Sequence, residues 1–239
     1  MNNLYETFVY LTDTPLLWLW LTLVCYQIAL WLQRLSGGAV WANPVAISTM
    51  LLGICLLSSG VNYQQYFSGA QFIHFLLGPT IVALALPLAL HWRSVKRALL
   101  PLLLSLLAGA VISITCAVGL AYLFGLDEVL IKSLAPKSAT APIAMGIADS
   151  IGGIASLAAV SAIITGIIGA VIATPLLNRL QFQDWRARGF AVGLNCHGIG
   201  TAHAYTVHPI AGVYATVGMA LNGMLTAVIT PLVFLFMSF

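Results

Sequence analysis

Residues 98–124 contain no charged side chain. Wound as a helix at about 1.5 Å per residue, a run of that length exceeds the roughly 30 Å of hydrocarbon in a bilayer. Uncharged stretches also run at 16–33, 43–59, 70–90, 154–177 and 209–239, which makes six expected spans. Composition agrees, with 6% of residues charged, 61% hydrophobic and a mean hydropathy of +1.01; soluble domains carry about a quarter charged residues. The expected fold is an all-α polytopic membrane protein. Two further stretches, 129–150 and 189–208, are apolar on average but broken by Gly, Pro and polar residues, and are expected to be interrupted or re-entrant. The organisation expected is a four-helix scaffold region over 1–124 and a substrate-binding region over 129–239.

The basic residues orient the chain. Arg34 follows the first span, Arg93, Lys96 and Arg97 join the third to the fourth, and Arg179, Arg186 and Arg188 follow the span at 154–177. Cytoplasmic loops are enriched in Lys and Arg. All three groups fall inside when the N-terminus, flanked by Glu6 and Asp13, lies outside and 129–150 enters and returns without crossing. That acidic flank has no basic residue and no small-residue cleavage site follows the first span, so the span is expected to stay in the mature protein.

The two interrupted stretches are related. At an offset of 56 residues AVIATPLL (170–177) lies over TAVITPLV (226–233), and the same register lays 136–155 over 192–211. Chance similarity among small and apolar residues is the competing account. Otherwise each unit, about 129–177 and 189–239, supplies one re-entrant segment and one span, so the second copy is inverted, a plan recurrent in secondary transporters.

Within SLAPKSATAPIAMG (133–146), Pro136 and Pro142 each lack a backbone donor and disfavour helix in the residue before them. Ala135 and Ala141 are therefore expected in extended geometry. Broken backbone at membrane depth is tolerated only against protein or a wet cavity. Lys137 lies in this break, and an ionised lysine at mid-membrane costs about 2.5–3.5 kcal/mol, which points to an anionic partner or an aqueous path; a snorkelling lysine is the bland alternative. Ser138 and Thr140 add hydroxyls, and a helix restarting after Pro142 adds free amides, which together form a carboxylate cradle. Asp149 has three readings: pairing with Lys137, carrying a coupling proton, or capping the helix that starts near Ile154. From LNCHGIGTAHAY, Asn195, His197, Gly198 and Thr201 are the facing candidates, His197 also as a proton carrier; His203 reads as a hydrogen-bonded packing residue. Gly152, Gly153, Gly198 and Gly200 are the expected helix-break glycines.

Other chemistries find little support. The four cysteines, Cys25, Cys55, Cys116 and Cys196, stand singly in apolar segments, without disulfide or zinc spacing. His197, His203 and His208 are not spaced for one helical face, and Asp149 alone cannot make a carboxylate pair. Neither an enzyme, nor a cofactor, nor a metal site is expected. A net charge of +3 without a basic, aromatic-interleaved run excludes a nucleic-acid surface.

PKSATAPIAMGIADSIGGIASLAAV, followed by RARGFAVGLNCHGIGTAHA and VGMALNGMLTAVITPLV, resembles the LrgB/CidB family of bacterial inner-membrane proteins; GPTIVALALPL at 78–88 extends the likeness to most of the chain. The resemblance implies a holin- or antiholin-like protein, often encoded beside a smaller LrgA/CidA-type partner and linked to murein hydrolase export and lysis. It also implies small carboxylates as cargo, since plant relatives carry glycolate and glycerate across the plastid envelope and bacterial systems have been connected with pyruvate. Cys196 departs from a common Ser, and His203 from a common Arg or Lys. The expected function is secondary transport of small monocarboxylates of the glycolate, glycerate, lactate and pyruvate class across the inner membrane. The alternative is a lysis-associated pore or regulator. Expected partners are a small organic anion, membrane lipid, an LrgA/CidA-type protein and further copies of the chain.

Overall fold

The computed structural model describes residues 14–37, 42–76, 79, 82, 83 and 85–236. The acidic flank with Glu6 and Asp13, on which the external N-terminus rests, lies outside them. By contacts the chain forms two compact units, 1–86 and 87–239.

In the first unit, α1 (Pro15–Leu35), α2 (Pro44–Ser59) and α3 (Tyr63–Phe75) begin at chemically marked positions. Asn43 accepts from the amides of Val45 and Ala46 at 3.0 and 3.2 Å, with Pro44 in the first turn where a missing donor costs nothing. Asn62 caps α3 through the Gln65 amide at 2.8 Å. Helix α1 packs on both others, and Thr22 meets the Tyr66 hydroxyl at 3.2 Å.

The second unit contains α5 (Trp92–Arg97), α6 (Leu99–Leu123), α7 (Glu128–Leu134), α8 (Ala141–Ser150), α9 (Ala155–Arg179), α10 (Trp185–Val207) and α11 (Pro209–Phe236); the short α4 (Ala85–Leu90) precedes α5. Helices α1, α6, α9 and α11 are long and apolar enough to cross a membrane. The chain is thus an all-α polytopic membrane protein, and among the described residues four of the six expected spans are long apolar helices. Helix α2 has 16 residues. Of the span expected at 70–90, α3 covers the start and α4 the end, while residues 77, 78, 80, 81 and 84 lie outside the described ones. Helix α6, grouped by sequence with the N-terminal scaffold, packs on α7, α10 and α11. Its partners include Phe190, Leu194, Tyr214 and Val217.

Both interrupted stretches are helical hairpins. Beyond α7 the chain continues in tightened turns, Lys137 N–H to Leu134 O at 3.2 Å and Ala139 N–H to Pro136 O at 2.9 Å. It reverses at the extended Thr140 (φ −61°, ψ 149°) and returns as α8. The ends then meet, because Ile154 N–H donates to Ser133 Oγ at 2.7 Å. Gly152 turns the chain at φ +80°, and a Cβ on Gly153 would stand 2.9 Å from the Ser133 nitrogen. Helix α10 folds back at His197, whose φ of 39° and ψ of −134° are non-helical. Its ends also meet, with the rings of Trp185 and His208 stacked at 4.8 Å.

The two hairpins oppose each other. On the first arm of α10, Gly189 and Gly193 press onto the backbones of Ala211 and Ala215, so this arm runs parallel to α11. On the second arm, Thr201 meets Met219 and Tyr205 meets Thr216, so it runs antiparallel. Helix α9 crosses the first arm in the opposite sense, Gly169 meeting Cys196 while Leu177 lies near Gly189. The long helices α9 and α11 are therefore antiparallel to each other. Lys132 and Ile151, at the base of the first hairpin, lie beside Pro231 and Leu232 near the end of α11; the base of the second adjoins its start. Two hairpins entering from opposite ends are the arrangement of an inverted repeat.

Candidate functional site

The hairpin tips converge near the middle of both long helices. Asn222 on α11 donates through Nδ2 to the carbonyl of Ser138 at 2.9 Å. His197 Nε2 lies 2.6 Å from the carbonyl of Ala162 on α9. Each tip is thus held by the span of the other repeat. The 56-residue register pairs Asn222 with Gly166, one turn beyond Ala162, and Gly166 lies against the His197 ring: a Cβ there would stand 2.5 Å from Cε1. Ala162 also joins Ala139, Ala144, Ala148 and Ala158 in an all-alanine contact between the first hairpin and α9. Small side chains let helix backbones approach closely where no hydrophobic drive separates protein from lipid.

The break residues differ from the expected ones in instructive ways. Ala135 is helical (φ −55°, ψ −45°), its amide bonded to Ile131 O at 3.0 Å, because the chain tightens past Pro136 instead of extending. Ala141 opens α8, and Pro142 sits in the first turn, where its missing donor has no partner to lose. The extended residue is Thr140. In α10 the break falls on His197, not on Gly198 or Gly200. Gly200 is needed for proximity, since a Cβ there would stand 2.9 Å from Val192 Cγ1 on the other arm. A non-glycine residue at positive φ costs of order 1–3 kcal/mol and concentrates at functional positions. Its carbonyl accepts from Thr201 Oγ1 at 2.7 Å.

The polar groups at the tips fall into satisfied and unsatisfied sets. Ser138 Oγ, on a residue 2% exposed, has no hydrogen-bond partner among the described residues. The ammonium of half-buried Lys137 has neither ion pair nor hydrogen bond among the described residues. A carbonyl can only accept, so the His197 bond fixes the proton on Nε2 and leaves Nδ1 as the ring position able to take another. Thr140 is half-buried and makes no side-chain cap.

Other candidates lie elsewhere. Asn195 is exposed, its amide turned back to Ala191 O at 3.0 Å. Asp149 is exposed on the last turn of α8 and has no ion pair among the described residues. It does not cap α9, whose first residue takes no side-chain cap; Ser133 serves the Ile154 amide instead. His203 Nε2 is buried without a partner among the described residues, contrary to the hydrogen-bonded packing role expected.

Sequence reading missed Asn222, Thr226 and Thr230, spaced four apart on α11 and each at most 1% exposed. Thr226 Oγ1 reaches Asn222 Oδ1 at 3.4 Å, and Thr230 Oγ1 has no partner. The signal was present: an Asn inside the otherwise apolar VGMALNGMLTAV is costly in lipid unless it bonds across helices. Arg188, 7% exposed, is accounted for by bonds to Phe182 O and Asn178 Oδ1 at 3.1 and 2.7 Å and by stacking over Trp185.

Known proteins are similar to this sequence. Holin-like protein CidB of Staphylococcus epidermidis is 30% identical over 215 residues, 90% of this chain and 93% of that protein. Holin-like protein CidB of Staphylococcus aureus is 29% identical over 220 residues, 92% and 96% of the two chains. Protein YxaC of Bacillus subtilis is 33% identical over 190 residues, 80% and 83%. No solved structure matches. The LrgB-like family matches residues 22–236, a range that takes in both hairpins and both long helices that hold their tips, and the chain belongs to that family.

Proposed function

We propose that this protein is a secondary transporter of small monocarboxylates in the bacterial inner membrane, working by binding and conformational change without covalent chemistry. In this reading Lys137, Ser138 and Thr140 receive the carboxylate from the first hairpin. Gly198 and Thr201 close the site from the second, while Asn195 lies on the approach. His197, through Nδ1, or Asp149 carries any coupling proton. The N-terminus is external and the loop from Asn178 to Arg188 cytoplasmic. The observation that supports the reading is the pairing, at one broken hairpin tip, of an unpartnered lysine with an unpartnered buried hydroxyl. An uncompensated cation in low dielectric calls for an anion, and a second carboxylate would lack a counter-charge, at a cost of several kcal/mol.

A second reading, a holin-like pore, is favoured by the names of the Staphylococcus relatives; its variant is a regulator of murein hydrolase export acting with a smaller LrgA/CidA-type protein. Uptake into proteoliposomes separates the two. The transporter reading expects saturable uptake of glycolate, glycerate, lactate or pyruvate over succinate and citrate, enhanced by an inward proton gradient and lost in Lys137→Met. Non-saturable leakage of unrelated solutes that survives Lys137→Met would establish the pore.

A further inference from the structure

On the second unit a basic cleft continues into an apolar groove. The cleft, about 760 Å³, is lined by His91, Trp92, Arg93, Ser94, Arg97 and Arg186. The groove, about 720 Å³, runs between α6 and the first arm of α10 past Leu102, Gly109, Phe190 and Leu194. The two share Arg97, Ala98 and Arg186. Arg186 is committed to Asp184 through Nε and Nη2, the latter at 2.7 Å. Arg93 and Arg97 are exposed, one helical turn apart on α5, without an ion pair or hydrogen bond among the described residues. No acidic side chain is among the residues lining the cleft.

The dimensions identify the occupant. From Ala98 to Gly109 the wall of α6 is about 16 Å long at 1.5 Å per residue, close to the roughly 15 Å of one leaflet's hydrocarbon. Trp92, 55% exposed beside the arginines, belongs at the headgroup level. A soluble anion would use the arginines and leave the apolar wall without purpose, whereas a molecule with a charged head and a chain uses both. We propose that this cleft and groove bind an anionic phospholipid, its phosphate on Arg93 and Arg97 and one acyl chain along the groove over the contact of α6 with the first arm of α10. The arginine end of the site lies on α5, away from the hairpin tips, while the far end of the groove reaches Leu194 and Asn195 beside the second tip; the proposal does not depend on the transport reading.

Native mass spectrometry of the purified full chain from neutral detergent tests it, with phosphatidylglycerol, phosphatidylcholine of the same chains, and glycerol 3-phosphate as probes. Phosphatidylglycerol should be retained over phosphatidylcholine, and equimolar glycerol 3-phosphate should not displace it. Each basic residue near an anionic headgroup contributes roughly fivefold, so Arg93→Gln with Arg97→Gln should weaken phosphatidylglycerol about 30-fold and leave phosphatidylcholine unchanged. Ser105→Trp, at an exposed position on the groove wall, should weaken both lipids. Equal retention of the two lipids would overturn the proposal, as would unchanged phosphatidylglycerol binding in the double variant. Displacement by glycerol 3-phosphate would identify a soluble-anion site instead.

Discussion

Asn222→Leu keeps the volume of the side chain and deletes the amide that holds the first hairpin's tip to α11. Hydrogen bonds between membrane helices average about 0.6 kcal/mol and reach about 1.7 kcal/mol. Here the upper end applies, because Asn222 is 1% and Ser138 2% exposed, so water cannot replace the lost donor at the Ser138 carbonyl. An acceptor left bare in such a place costs about 1–3 kcal/mol. Thr226 adds little, since its hydroxyl can turn to a carbonyl one turn back on its own helix. The expected loss is about 1.5–2.5 kcal/mol, a roughly 10- to 70-fold shift in the unfolding equilibrium. Denaturation by sodium dodecyl sulfate in bicelles reads the shift, and hydrogen exchange at Ala139 should quicken. Ser138→Ala is the control: it removes the unbonded hydroxyl, leaves the carbonyl in place, and should be neutral or slightly stabilising while uptake falls. An Asn222→Leu protein as stable as the parent, with exchange at the tip unaltered, would refute the anchoring role.

Lys137→Met should insert at normal levels and resist denaturant at least as well as the parent, since it removes a charge costing about 2.5–3.5 kcal/mol at mid-membrane, yet it should abolish carboxylate uptake; retained uptake would reduce Lys137 to a snorkelling residue. Gly193→Ala places a methyl group inside the Ala215 carbonyl, and forcing the first arm of α10 off α11 should cost about 3 kcal/mol in the same denaturation assay; parent-like stability would show that the contact yields. Gly166→Ala should push the His197 ring from Ala162, seen as a shifted Nε2–H resonance; an unmoved signal would place the ring elsewhere. Gln183→Cys, in a background without the four native cysteines, should react with an impermeant maleimide from the cytoplasmic side; labelling from outside would reverse the orientation.

The long helices were legible because charge-free runs leave little choice in lipid: the expected 98–124 and 154–177 differ by one or two residues at each end from α6 and α9. The hairpins were legible too, from prolines and glycines that a continuous span would not carry. The turning points were not. Pro142 starts a helix because a first-turn position forgives the missing donor, and the reversal passes to Thr140. The second reversal falls on His197 because neighbouring Gly200 is needed for contact between the arms, a tertiary demand that local propensity does not contain. Asn222 escaped notice for the opposite reason, one polar residue among many apolar ones. Its meaning depended on a carbonyl 84 positions away.

The exchange of anchors between the repeats has a mechanical consequence. Ser138 is tethered to α11 and His197 to α9, so each hairpin is fastened at its base to its own span and at its tip to the opposite one. The assembly is geared like a pair of crossed levers. Tilting α9 against α11 cannot leave the centre undisturbed, because it pulls one tip while releasing the other. The pivots are already in the chain, at Gly152 and at the backbone of His197, so on the proposed transport reading a rocking of α9 against α11 would widen the approach from one face of the membrane as it narrows the approach from the other.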